Sequence, residues 1–218
     1  MDFKKPELKG FSIVLLGDFN PKIFEPMWFS AQDLIREKEA QNADKRIIIN
    51  EVVDFALDWI EIKVTRNRFT AQSDQEPYEA VRDLVVGAFK LLSHTPISKM
   101  GINTEAHFRI ETEEAWHNFG HLLTPKDLWN EILSSPGMNS ITMEETKRKD
   151  GRKGHIRVTL EPSARIMTGV FIRVNDHYEF DSNHASGCAK MVSVLEEAWN
   201  VSCERSENII RSLVEKIK

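Results

Sequence analysis

Between His177 and His184 the chain reads His-Tyr-Glu-Phe-Asp-Ser-Asn-His, two imidazoles and two carboxylates in one short run. On an extended backbone His177, Glu179 and Asp181 point to one side, and His184 follows in the next loop. Imidazole nitrogens with carboxylate oxygens form a donor set suited to Zn²⁺ or Mn²⁺. His177, Glu179, Asp181 and His184 are therefore the candidate metal ligands, and they define one reading of the chain as a metal-dependent enzyme. Their spacing matches no established ligand motif. Val170, Ile172, Val174, Tyr178 and Phe180 alternate with the polar positions, so the same pattern also describes the wet side of a half-buried strand. His117 and His121, four apart on a helical pattern, could clasp a metal, but the residues between them lack the general-base Glu of the zinc-protease helix.

A second run, Lys147-Arg148-Lys149-Asp150-Gly151-Arg152-Lys153-Gly154-His155-Ile156-Arg157, puts six cations around one Asp-Gly turn. Lys147, Arg148, Lys149, Arg152, Lys153 and Arg157 could neutralise phosphates and release their condensed counterions. No Phe, Tyr or Trp interrupts the run, so single-stranded bases would find no stacking platform there. Charges on a hairpin also keep a sheet edge from pairing with other chains. Nucleic-acid binding by this hairpin is the second reading.

No G-x-S-x-G elbow, phosphate-cradling G-x-x-x-x-G-K-[ST] or G-x-G-x-x-G occurs. No catalytic residue is assigned and no cofactor is expected. The two cysteines, Cys188 and Cys203, imply neither a disulfide framework nor a complete zinc site. The net charge of −5 opposes wholesale binding to nucleic acid or anionic membrane. It is also evenly spread, with 14 basic against 16 acidic residues in the first hundred positions and 15 against 18 in the rest. The opening residues carry no signal-peptide pattern and no apolar run reaches membrane-span length, which predicts a cytoplasmic protein without a membrane partner.

The elements that must position these residues read as follows. Residues 11–19 are rich in β-branched and aromatic side chains and predict a strand, followed by a helix over 27–41. Ile60, Ile62 and Val64 alternate with Glu61, Lys63 and Thr65 in a strand. Ser73 and Glu76 have capping-box spacing ahead of a helix whose stripe is Tyr78, Val81, Val85, Ala88 and Leu92. Residues 101–110 predict a strand, Thr112 a helix cap and residues 141–162 a hairpin turning at Asp150-Gly151. A strand over 168–180 and a long amphipathic helix from about 186 to 218 complete the chain.

Each half, 1–97 and 98–218, thus reads strand, helix, about three strands, helix. Phe19 aligns with Phe108 and Trp28 with Trp116, and Ile62–Thr65 corresponds to Ile172–Asn175. This order predicts an α+β fold with internal duplication, a curved antiparallel sheet backed by helices as one compact unit. The order resembles the TATA-box-binding-protein fold, whose two repeats build such a sheet; the Phe wedges and Lys/Arg of that family's DNA-facing surface have no residue-by-residue match here. The stretch Arg68–Val85 with Gly101–Ile110 is similar to a sporadically distributed family of uncharacterised bacterial proteins, a resemblance that implies a bacterial protein and brings no catalytic residues.

The leading reading is a non-catalytic binding or assembly protein acting through a protein partner or as a homodimer. Its interface is expected on the last helix, where Ile209, Ile210, Leu213, Val214 and Ile217 form a stripe. A sheet of about 5–6 strands would be too narrow to cover it.

Overall fold

The computed structural model describes residues 5–180 and 187–216. Period-two alternation builds one wide sheet from nine strands: β1 (Leu8–Gly17), β2 (Asp44–Ile48), β3 (Val52–Ala56), β4 (Glu61–Thr65), β5 (Arg68–Ser73), β6 (Ile97–Arg109), β7 (Ile141–Glu145), β8 (Gly154–Pro162) and β9 (Gly169–Glu179). Every neighbouring pair is antiparallel, and the open sheet runs β2-β3-β4-β5-β1-β6-β9-β8-β7. Six α-helices accompany it: α1 (Pro26–Ala31), α2 (Glu37–Gln41), α3 (Glu79–Leu91), α4 (Glu113–Leu123), α5 (Asp127–Asn130) and α6 (Ala189–Val214). The fold is α+β, as the sequence predicts.

The two faces of the sheet follow directly from the alternation. Phe11, Ile13 and Leu15 of β1 pair across to Ser73, Ala71 and Phe69 of β5, and these side chains lie under the helices. On β6 and β9 the buried parity is Met100, Ile102, Ala106 and Phe108 against Tyr178, Asp176, Ile172 and Val170. The other parity carries Ser12, Lys99, Asn103, Glu105, Arg173, Asn175, His177 and Glu179.

β1 and β6 pair along the middle, from Leu8↔His107 to Gly17↔Ile97. Outward from them the order is β5-β4-β3-β2 on one side and β9-β8-β7 on the other. The first half therefore has four outer strands where the residue pattern predicts three. Ile62–Thr65 lies in β4, two strands from β1, whereas Ile172–Asn175 lies in β9, adjacent to β6. Those two segments do not hold equivalent places. Internal duplication is a proposal that the element order motivates.

Two helical expectations are also corrected. Residues 27–41 do not make one helix: Asp33 takes φ 56 and separates α1 from α2. At about 100° per residue a continuous helix would turn Ile35 about 120° away from Phe29. With the break, Phe29, Ile35 and Ala40 are all buried. Ser73 ends β5 instead of capping α3; its hydroxyl donates to the Trp59 carbonyl at 2.6 Å and accepts from the Gln75 N–H. Thr112 does cap α4, accepting the Ala115 N–H at 3.1 Å.

The last helix does not overrun its sheet, because the sheet is nine strands wide. Met191, Leu195, Ala198 and Trp199 of α6 join the core over the first half. Further along, Ile210 and Val214, only 5% and 4% exposed, join a second core with Phe108, Ile172 and Val174. The expected surface stripe is thus split: Ile210 and Val214 are interior, Ile209 and Leu213 are half-buried, and Ile217 lies outside the described residues.

Candidate interaction surface

The hairpin of six cations does form, with β7 paired to β8 and Gly151 at φ 69 in its turn. Its arginines, however, are taken up by the protein itself. Arg148 is buried and its guanidinium binds Asp176, the His177 carbonyl at 3.1 Å and Asp150 at 2.6 Å, with its carbon 4.2 Å from the Tyr178 ring centroid. Arg205 of α6 reaches Asp176 at 2.6 Å, and the Tyr178 hydroxyl donates to the same carboxylate at 3.0 Å. Two arginines and two aspartates so compensate one another where unpaired charge would be costly. The hydrogen bond from Arg148 holds the Asp150 carboxyl near 2, and burial pushes the Tyr178 phenol up to about 12.

Arg152 pairs with Glu197 at 2.9 Å and Arg157 with Glu144 at 2.7 Å. Lys147, Lys149 and Lys153 are exposed. The set Lys147, Arg148, Lys149, Arg152, Lys153 and Arg157 is therefore divided among the interior, ion pairs and solvent. It does not present one cationic face.

The metal candidates divide in the same way. His177 and Glu179 do share the open face of β9, with His177 Nε2 3.6 Å from Glu179 Oε1. Asp181 and His184 lie outside the described residues. His177 instead stacks on His155 of β8, ring centroids 4.4 Å apart, and His155 Nε2 is 3.9 Å from Glu144. Burial, and then the neighbouring His155, holds the His177 imidazole below its ordinary range. Among the described residues no group of three or more His, Cys, Asp or Glu side chains is placed to hold a metal ion.

Sequence reasoning misses Asp176, although a signal exists. It falls at the same parity as Val170, Ile172, Val174 and Tyr178, and a carboxylate on the core side of a strand demands a buried cationic partner.

What the helix side leaves uncovered is a shallow groove between α6 and the β7–β8 edge. Met143, Val158, Val201, Ile209 and Leu213 line it, flanked by Glu204, Arg205, Asn208 and Ser212. Met143 is 65% and Val201 53% exposed. Register explains why Met143 faces this way, since it pairs with Val158 and through it with the buried Val174. The sequence signal lies partly in Ile209 and Leu213; Met143 and Val201 come to the same place only through the pairing of β7 and the path of α6. Neither a scan against protein-family models nor a search of curated proteins gave a match.

Proposed function

We propose that this chain is a non-catalytic binding and assembly protein of the cytoplasm whose working surface is the groove between α6 and β7, occupied by a second copy of the chain. The observation that supports the reading is the uncovered apolar lining, with Met143 and Val201 in solvent beside Val158, Ile209 and Leu213. Apolar area gains about 25 cal/mol per Å² on leaving water, and a contiguous exposed patch marks an interface. β7 is the last strand of the sheet, so unpaired backbone groups also stand at the rim of the groove. Two copies related by a twofold axis would set groove against groove. Two unbridged thiols fit a reducing compartment.

Sedimentation at micromolar concentration tests this. The wild type is expected to run as a dimer, and Met143→Glu with Val201→Glu as a monomer with unchanged circular dichroism. A wild type that stays monomeric at every concentration overturns the proposal. Ile210→Glu cannot serve as the probe, because that side chain is interior.

A further inference from the structure

We infer that the α4–α5 segment is a separate docking surface, shaped for a cationic amphipathic helix of another protein. This goes beyond the groove reading and does not depend on it. Leu122, Leu128, Trp129, Ile132 and Leu133 are between 47% and 66% exposed, a dense concentration of large apolar groups in solvent. α5 itself buries no residue.

The backbone orders these side chains. The Asn130 N–H donates to the Lys126 carbonyl at 2.8 Å, and the Leu133 N–H to the Trp129 carbonyl at 2.8 Å. Helical geometry therefore continues past α5, and residues four apart fall in line. Leu128 with Ile132 makes one row and Trp129 with Leu133 the next. Asp127 with Glu131 makes a third, acidic row, about 100° around the helix from Leu128 and Ile132 and nearly opposite Trp129 and Leu133. Beside this ledge a groove of about 330 Å³, lined in part by Trp116, Phe119, Met138 and Val170, offers room for an apolar side chain.

Charge selects the occupant. From Glu111 to Leu133 the chain carries Glu111, Glu113, Glu114, Asp127 and Glu131 against the single cation Lys126. None of the five has a Lys or Arg ion-pair partner among the described residues; Glu113 has only His117, at 3.6 Å. Elsewhere the surface acids are mixed: Glu61, Glu144, Glu196 and Glu197 are each matched by an Arg or Lys, while the α4–α5 segment has five acids to one Lys. An apolar surface with Asp127 and Glu131 on the same segment, and Glu111, Glu113 and Glu114 at the start of α4, complements a helix with one apolar stripe and Lys or Arg beside it. The same carboxylates oppose an anionic membrane surface. A second copy of this chain, with net charge −5, is no better a match.

The probe is a labelled peptide of about 18 residues, leucines spaced i, i+3, i+4, i+7 and lysines elsewhere, followed by anisotropy. Wild-type protein is expected to bind it, and binding should weaken by about tenfold or more for Leu128→Glu with Ile132→Glu and for Asp127→Lys with Glu131→Lys. The same peptide with Glu for Lys should show a comparable loss. These side chains are exposed, so circular dichroism should be unchanged, and Met143→Glu with Val201→Glu should bind as wild type does. Peptide affinity indifferent to the ledge substitutions overturns the inference. So does a change of oligomeric mass in Leu128→Glu with Ile132→Glu, which would make a second copy the occupant, or retention of the protein on vesicles containing anionic lipid.

Discussion

β3 and β7 hold comparable places, each three strands out from the central pair, and meet opposite fates. On β3, Val53 and Phe55 are fully buried. Phe29 of α1 lies 6.0 Å from Phe55 between ring centroids, and Ala40 of α2 is buried in the same core. On β7, Met143 faces the same side of the sheet and is mostly in solvent. The difference comes from the connecting segments. Residues 18–43 fold down over their sheet with Phe19, Phe24 and Phe29 as anchors, whereas α4 buries Phe119 alone and α5 nothing. An amphipathic helix with little apolar material facing the sheet covers little of it, and Met143 of β7, Leu128 and Trp129 of α5 and Val201 of α6 are left exposed.

Core substitutions test the comparison most severely. Phe29→Ala in the first half should cost about 3–5 kcal/mol and Ile210→Ala in the second about 2–5 kcal/mol. Since α6 runs through both cores, each should lower one shared calorimetric transition. Two separate transitions would show instead that the halves are thermodynamically independent.

The buried ion network comes next. Arg148→Met leaves Asp150 without its main partner and Asp176 with only Arg205 and the Tyr178 hydroxyl, and should cost about 3 kcal/mol by denaturant unfolding. A loss near zero would mean that the turn between β7 and β8 is not held by this contact.

Amide exchange then compares the two strands directly. β3 is hydrogen-bonded on both sides and β7 on one, so β7 amides should exchange much faster in the monomeric Met143→Glu, Val201→Glu protein. Slowing of β7 in the wild type but not in that variant would place β7 within the interface.

The smallest effect is that of pH, and it too belongs to the second half. His107 and His177 both lie below the ordinary value of 6.5; burial is the larger cause in each, followed by Arg165 for His107 and by His155 for His177. A depressed value in the folded state means that the unfolded chain binds more protons below 6.5. Stability is therefore complete above 6.5 and declines as pH falls through the folded-state values. The Asp150 carboxyl, near 2 against an ordinary 3.8, adds stability that is present above 3.8 and lost toward 2. Thermal midpoints should fall modestly from pH 7 to pH 5, and His107→Gln with His177→Gln should flatten that slope. An unchanged slope in the double variant would remove these histidines from the explanation.

Much of the fold is legible in residue order because alternation and helical spacing are local. The parity of Val170, Ile172 and Val174 gives a strand and its buried side, the stripe of Val81, Val85 and Ala88 gives a helix and its buried side, and Thr112 announces its own cap. The break at Asp33 is less legible, since only the packing of Ile35 requires it. The width of the sheet is not legible at all. Strand pairing is a long-range choice, and nothing between Ser186 and Lys218 states how many strands lie beneath. That number moves Ile210 and Val214 from an expected surface to the interior.

The surface chemistry divides along the same line. Residue types alone put six cations around Asp150 and set Glu111, Glu113, Glu114, Asp127 and Glu131 among apolar residues; no folding is needed to see either concentration of charge. Only the tertiary structure decided that Arg148 belongs to Asp176 inside the protein while the carboxylates of the α4–α5 segment remain unmatched. The physical reason is that a charge in water needs no partner, whereas a buried one must find its opposite, and in this chain Asp176 and Arg148 meet only when β9 and the β7–β8 turn have packed together.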